Sequence, residues 1–290
     1  MAKILIVDDN PVDRTLVASL LNQESEWEVF QATDGANALV QIPQLQPDLV
    51  VTDMQMPYVD GLQLVQQIRQ DHARIPVVLI TSYGSERTAV EALKHGAASY
   101  SPKSELPRDL VRTVRQVLEL SAHVNAERVP TNQPVPTNLA FVLDNDVSLI
   151  GPLIEHLQGC MPPWSERDRL QIGMALDEAL TNAMHHGNLE IPGQLRDGDD
   201  GAYYEMTRTR RCQPPFCERR VRVQAEFSDQ HLCVQISDEG PGFDPHSVAD
   251  PTDERNIANI GGRGLFLIRA FMDQVVHNQA GNQITMIKFR

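Results

Sequence analysis

Residues 49–57 read LVVTDMQMP, and this stretch decides the fold of the first part of the chain. A short apolar run ends on Asp53, as a buried strand does when it delivers a polar side chain to its carboxyl edge. Working outward, comparable runs occupy residues 4–7, 29–31, 77–81 and 98–101, with amphipathic stretches between them. Pro11 stands at a first-turn position, Leu64, Val65 and Ile68 recur at helical spacing, and Gly96 follows Leu93 and Lys94 as a stop. This alternation predicts five strands and five helices over residues 1–120, a doubly wound parallel α/β layer.

Asp8 and Asp9 end the first strand and Asp53 the third, so all three reach the carboxyl edge where such sheets place their sites. Carboxylates gathered there repel one another unless a hard divalent cation sits between them, and Mg²⁺ takes such oxygen ligands. Thr81 closes the fourth strand and Lys103 follows the fifth, which adds a hydroxyl and an ammonium to the same edge. The set suits a phosphoryl group.

Together, Asp8-Asp9, Asp53, Thr81-Ser82 in LITS and Lys103 in SYSPK resemble the receiver domain of two-component response regulators. The resemblance implies Asp53 as phospho-acceptor and Asp8, Asp9, Asp53 and the Gln55 carbonyl around Mg²⁺. It also implies Thr81 and Lys103 on the phosphoryl oxygens and Tyr100 as an aromatic switch. An upstream histidine kinase would be the phosphodonor. One departure stands out: Pro102 precedes Lys103 where the family has proline after the lysine.

The last helix of this part is expected over residues 107–120, and Pro130, Pro134 and Pro136 mark residues 121–137 as a linker. The order of signals then changes. A strand at residues 139–143 and a helix over 146–158 precede a long helix opened by Ser165 with Asp168 three residues on. Two extended runs, 221–227 and 232–237, lead to a glycine-rich stretch, a helix over 264–272 and closing strands, so residues 138–290 read as an α/β sandwich.

Glu178 and Asn182, four apart in MALDEALTNAMHHGN, share one helix face among Leu176, Ala179, Leu180 and Ala183. Burying a carboxylate beside a carboxamide is costly without a ligand or cation to satisfy them. Further on, Asp238-Glu239-Gly240-Pro241-Gly242 follows an apolar strand, and Gly261-Gly262-Arg263-Gly264-Leu265 opens a helix whose amino end suits phosphate. With the late Thr285, this ordered set resembles the GHKL ATPase superfamily, and within it the anti-sigma-factor serine kinases. The resemblance implies that Asn182 holds Mg²⁺ on ATP, that Asp238 reads the adenine amino group and that Gly240, Gly242, Gly262, Arg263, Gly264 and Thr285 complete the ATP site. Glu178 would be the base toward a protein hydroxyl.

Sensor kinases of the same superfamily carry a phospho-accepting histidine on a helical hairpin, and here the only candidate is His123, beside a stretch too short for a hairpin. The acceptor is therefore expected on another chain, and the resemblance implies a STAS-type anti-sigma-factor antagonist, with a sigma factor as the other candidate partner. A binding module that sequesters such a partner without phosphoryl transfer is the alternative, and a plain ATPase the third reading. An extra segment between Gly187 and Val221 holds Arg208, Arg210, Arg211, Arg219 and Arg220, read either as a solvated hairpin or as a dock for an acidic partner. His185 and His186 close the helix before Gly187, where an imidazolium suits the dipole.

With 25 Lys and Arg against 39 Asp and Glu, the net charge of −14 argues against a dedicated nucleic-acid binder. No apolar window of membrane-spanning length occurs and the start turns acidic early, so a cytoplasmic protein without a membrane partner is expected. The cysteines at 160, 212, 217 and 233 are expected to be reduced, with Cys212 and Cys217 lacking a second pair at zinc-finger spacing. A homodimer is left open.

Overall fold

The computed structural model of the chain describes residues 1–82, 86–125, 138–161, 164–192, 200–245 and 263–290. It divides into two compact units, Met1–Ala126 and Glu127–Arg290.

In the first unit, β1 (Ala2–Val7), β2 (Trp27–Ala32), β3 (Leu49–Asp53), β4 (Val77–Thr81) and β5 (Ser99–Pro102) form one parallel sheet in the order β2-β1-β3-β4-β5. β3 and β4 are buried along their whole length, which is why they read as unbroken apolar runs. Four helices connect the strands, α1 (Pro11–Leu21), α2 (Gly35–Leu45), α3 (Gly61–Asp71) and α4 (Glu86–His95), and α5 (Leu106–Asn125) follows the last strand. Asn10 caps α1 by accepting from Val12 N with Pro11 in the first turn, and Asp60 and Gln63 close a capping box on α3. Strand order reverses between β1 and β3, so Asp8 and Asp53 emerge side by side at the topological switch point.

Helix α5 runs past the expected end at 120, and residues 121–125 of the expected linker are helical. The cause is the apolar stripe: Leu110, Val114, Val117, Leu120 and Val124 are all buried at helical spacing, and no breaker interrupts them. The proline-bearing remainder, 126–137, lies outside the described residues.

In the second unit, β6 (Asn138–Leu143), β7 (Val221–Phe227), β8 (His231–Ser237), β9 (Gln274–His277) and β10 (Gln283–Phe289) form an antiparallel sheet in the order β6-β7-β8-β10-β9. Burial alternates along β7 and β8, so the sheet has one covered and one open face. The covering helices are α6 (Ile150–Cys160), α7 (Glu166–Asn182) and α9 (Arg263–Phe271). The turn expected to begin α6 at Asp146 is instead a 3₁₀ turn, Val147–Leu149, which Asp146 caps through Ser148 N. Ser165 caps α7 by accepting from Asp168 N, and α7 passes into a π-helical turn, Ala183–Asn188.

The arginine-rich segment is not a solvated hairpin. It contains α8 (Asp200–Arg210), whose Tyr203 packs with Leu189, Ile191, Met206 and Phe216. Most of its arginines are engaged within the unit. Arg210 donates to the Leu189 and Glu190 carbonyls, Arg219 pairs with Glu190, Arg211 with Asp146 and Arg220 with Asp144. Among the described residues no helix is long and apolar enough to cross a membrane.

Candidate functional site

The receiver edge is built around one ammonium. Lys103 Nζ lies 2.8 Å from Asp53 Oδ1, 2.6 Å from Asp13 Oδ2 and 3.7 Å from Asp8 Oδ2. Burial alone would lower the Lys103 pKa, but hydrogen bonds to Asp13 and Asp53 outweigh it and hold the amine above its ordinary range. Burial pushes Asp8 up to about 6, against the lowering by the Asn10 N–H and Lys103. Asp53 Oδ2 accepts from Gln55 N at 2.7 Å, and Arg14 fixes the loop by donating to the Asp8 carbonyl at 2.6 Å. Thr81 is buried at the end of β4 and Tyr100 within the neighbouring β5, and the backbone of Gly61 abuts Asp53 so closely that a Cβ there would overlap its carbonyl.

The expected cage of three carboxylates is not drawn together: among the described residues no three acidic, histidine or cysteine side chains converge at metal-binding distance. Successive residues at a strand end point opposite ways, so Asp8 faces inward while Asp9 is exposed. Asp9 instead lines a cleft of about 430 Å³ with Met54, Gln55, Met56, Asp60 and Thr88. The remaining donors still fit a hard cation, because Asp8 Oδ2 is buried without a hydrogen-bond partner and Mg²⁺ keeps several of its waters. Asp8, Asp53 and the Gln55 carbonyl would hold it, with Asp9 at the rim.

The second site is walled by backbone. Glu178 is buried and Asn182 half-buried on one face of α7, and both adjoin Gly264 at the start of α9. A Cβ at Gly264 would lie 2.6 Å from Glu178 Oε2 and 3.3 Å from Asn182 Nδ2, so a side chain here would displace the Glu178 carboxylate. Asp238 follows β8; its Oδ1 accepts from Gly240 N at 2.9 Å, and its N–H donates to the Asn282 carbonyl at 2.9 Å. Burial raises the Asp238 carboxyl to about 6, while the Gly240 N–H and nearby Arg219 oppose the rise. Gly187 packs on the Asp238 carboxylate, Gly240 packs on Gly187, and Gly242 holds a φ of +74° that side chains disfavour.

Thr285 is not part of this cluster. Ile284 and Met286 are buried on the covered face, so strand alternation turns Thr285 to the open face, where it pairs with Gln235 and Val276. Gly262 and the Arg263 side chain lie outside the described residues. His186 does not serve only the helix dipole, since its Nδ1 lies 2.6 Å from the Ile191 carbonyl.

Reading the sequence missed four contributors. Asp13 shares Lys103, and Gly187 abuts Asp238. Asn188, fully buried, donates to Asn145 Oδ1 at 2.8 Å and accepts from Glu239 N at 2.7 Å, while Asn145 donates to the Phe216 carbonyl at 2.9 Å. This amide pair ties the DEGPG loop to the arginine-rich segment. The HGN of residues 186–188 was the visible signal; for Asn145 there was none.

Comparison with known proteins identifies the two domains. A family model for the response regulator receiver domain matches residues 4–115, and one for the histidine kinase-like ATPase domain matches residues 153–288. The chain is a fusion of these two domains. It is 32% identical over 191 residues to a protein-glutamate methylesterase/protein-glutamine glutaminase of Nocardioides, covering 63% of this chain and 50% of that protein. It is 33% identical over 122 residues to the transcriptional regulatory protein TrcR of Mycobacterium tuberculosis, covering 42% and 47%. The chain thus spans half or less of the length of these two curated relatives. The solved receiver domain of NtrX from Brucella abortus is 35% identical and covers 39% of this chain and 98% of its own, with a TM-score of 0.36.

Proposed function

We propose that the protein is a response regulator whose output is an ATP-dependent serine/threonine protein kinase of the anti-sigma-factor type, controlled by phosphorylation of Asp53. A histidine kinase supplies the phosphoryl group: an Asp53 carboxylate oxygen attacks phosphorus, the bond to the donor nitrogen breaks, and the released imidazole keeps its electron pair. Lys103, 2.8 Å from Asp53 Oδ1, and Thr81 would take up charge on the phosphoryl oxygens, and bound Mg²⁺ would neutralise the remaining carboxylates.

In the second unit Asp238 would accept from the adenine amino group and Asn182 would hold the metal on the ATP phosphates. The observation that carries the kinase reading is Glu178, a buried carboxylate one helical turn from Asn182 and against the same glycine. A carboxylate so placed suits removal of a proton from an incoming serine or threonine hydroxyl as phosphorus is transferred to it. The partner would be a STAS-type antagonist or a sigma factor, and the setting cytoplasmic.

The test is Glu178→Ala. It should keep ATP binding and partner retention and lose transfer of label from ATP to the partner's hydroxyl. Undiminished transfer, or a wild type that transfers to no partner it retains, would favour a nucleotide-dependent sequestering module.

A further inference from the structure

We propose that Asp13 is a positioning residue of the receiver site, whose carboxylate anchors Lys103 in the unphosphorylated arrangement and so shortens the lifetime of phosphate on Asp53. The inference rests on Asp53 being the acceptor.

The geometry is direct. Asp13 sits in the first turn of α1 and Lys103 just past β5, 90 residues apart in sequence, yet Lys103 Nζ is nearer to Asp13 Oδ2 (2.6 Å) than to Asp53 Oδ1 (2.8 Å). Neither partner is fully solvated, with side-chain exposures of 27% for Lys103 and 29% for Asp13, so water screens the pair only in part. The helix does not depend on this carboxylate for its cap, because Asn10 Oδ1 already accepts from Val12 N. Nearby Arg14 is directed to the Asp8 carbonyl, which leaves Lys103 as the ammonium that Asp8, Asp13 and Asp53 share.

Three carboxylates and one ammonium carry a formal −2, and a phosphoryl group on Asp53 makes the cluster more negative. The ammonium must then serve the phosphoryl oxygens, and Asp13 opposes this twice: it competes for the ammonium and it repels the new charge. Hydrolysis relieves both. Water attacks phosphorus, the P–O bond to Asp53 breaks, orthophosphate leaves, and Lys103 returns to Asp13 and Asp53.

The test uses the full chain with labelled acetyl phosphate and Mg²⁺, followed by donor removal. Isosteric Asp13→Asn should lengthen the half-life of the acid-labile label by about threefold or more, as expected for deleting one partly exposed charge near the group. Calorimetry should show beryllofluoride binding tightened by a similar factor. Asp13→Glu should return both quantities toward wild type. A half-life and beryllofluoride affinity that stay unchanged or fall, even if the melting temperature drops, would mean that Asp13 serves only the helix. Label that survives Asp53→Asn at the wild-type level would instead bring down the acceptor assignment, and the inference with it.

Discussion

The two candidate sites are built by opposite constructions. At the receiver edge, charged side chains from separate strand ends and loops crowd around one ammonium, and the backbone serves mainly to deliver them. At the second site, among the described residues, the space is set by close approaches to Glu178, Asn182 and Asp238 at Gly264, Gly187 and Gly240. The first site should therefore be sensitive to charge and the second to volume. Substitutions can break or sharpen that contrast.

The largest effect is expected at Asp53. Asp53→Asn removes the nucleophilic oxygen and should abolish acid-labile labelling by small phosphodonors, and label at the wild-type level would refute the assignment. Next come Asp238→Asn and Asn182→Ala, each expected to weaken ATP binding about tenfold or more, since a hydrogen bond to a charged group is worth roughly 1.5 to 3 kcal/mol. Gly187→Ala should do comparable damage with no change of charge, because its Cβ would overlap the Asp238 carboxylate. If calorimetry finds Gly187→Ala silent, the site is not governed by volume.

Acidity supplies a further contrast. An ionised Asp238 would accept from the adenine amino group more strongly than a protonated one, and its carboxyl is raised to about 6, so ATP affinity should hold above that pH and decline as pH falls through it. A titration flat from pH 7.5 to 5 would contradict this. Smallest is the stability effect of Asp8. A carboxyl raised to about 6 from 3.8 binds its proton more tightly folded than unfolded, so the penalty is present above about pH 6 and relieved as pH falls toward 4. In Mg²⁺-free buffer at pH 7, Asp8→Asn should raise stability by on the order of 2 kcal/mol in denaturant melts. A destabilised variant would show that the carboxylate supports the fold without metal.

The same contrast explains what the sequence could disclose. Asp8, Asp53, Thr81 and Lys103 were legible because each ends or follows an apolar strand, and parallel sheets bring those ends to one edge. Asp13 was not, because its partner lies 90 residues away and its own position reads as an ordinary first-turn acid. Glu178 and Asn182 were legible from helical spacing, whereas the role of Gly187 depends on the Asp238 loop folding back onto it. Thr285 was misplaced because motif order says nothing about which face of a strand a residue occupies; the buried Ile284 and Met286 decide that. The arginine-rich segment read as surface because charge runs usually face water, and Asp144 and Asp146, which pair with Arg220 and Arg211, lie elsewhere in the chain.

The central claim is that the charge-built site controls the volume-built one. Phosphorylation can do so only by changing the relative energy of two arrangements of the chain or its complexes. The direct measurement is the rate of label transfer from ATP to proteins the chain retains from its source cell, with and without beryllofluoride, in wild type and Asp53→Asn. The account predicts that beryllofluoride changes the wild-type rate severalfold and leaves Asp53→Asn unaffected. Equal wild-type rates in the two conditions would contradict it, leaving the receiver a docking module beside an ungated ATPase.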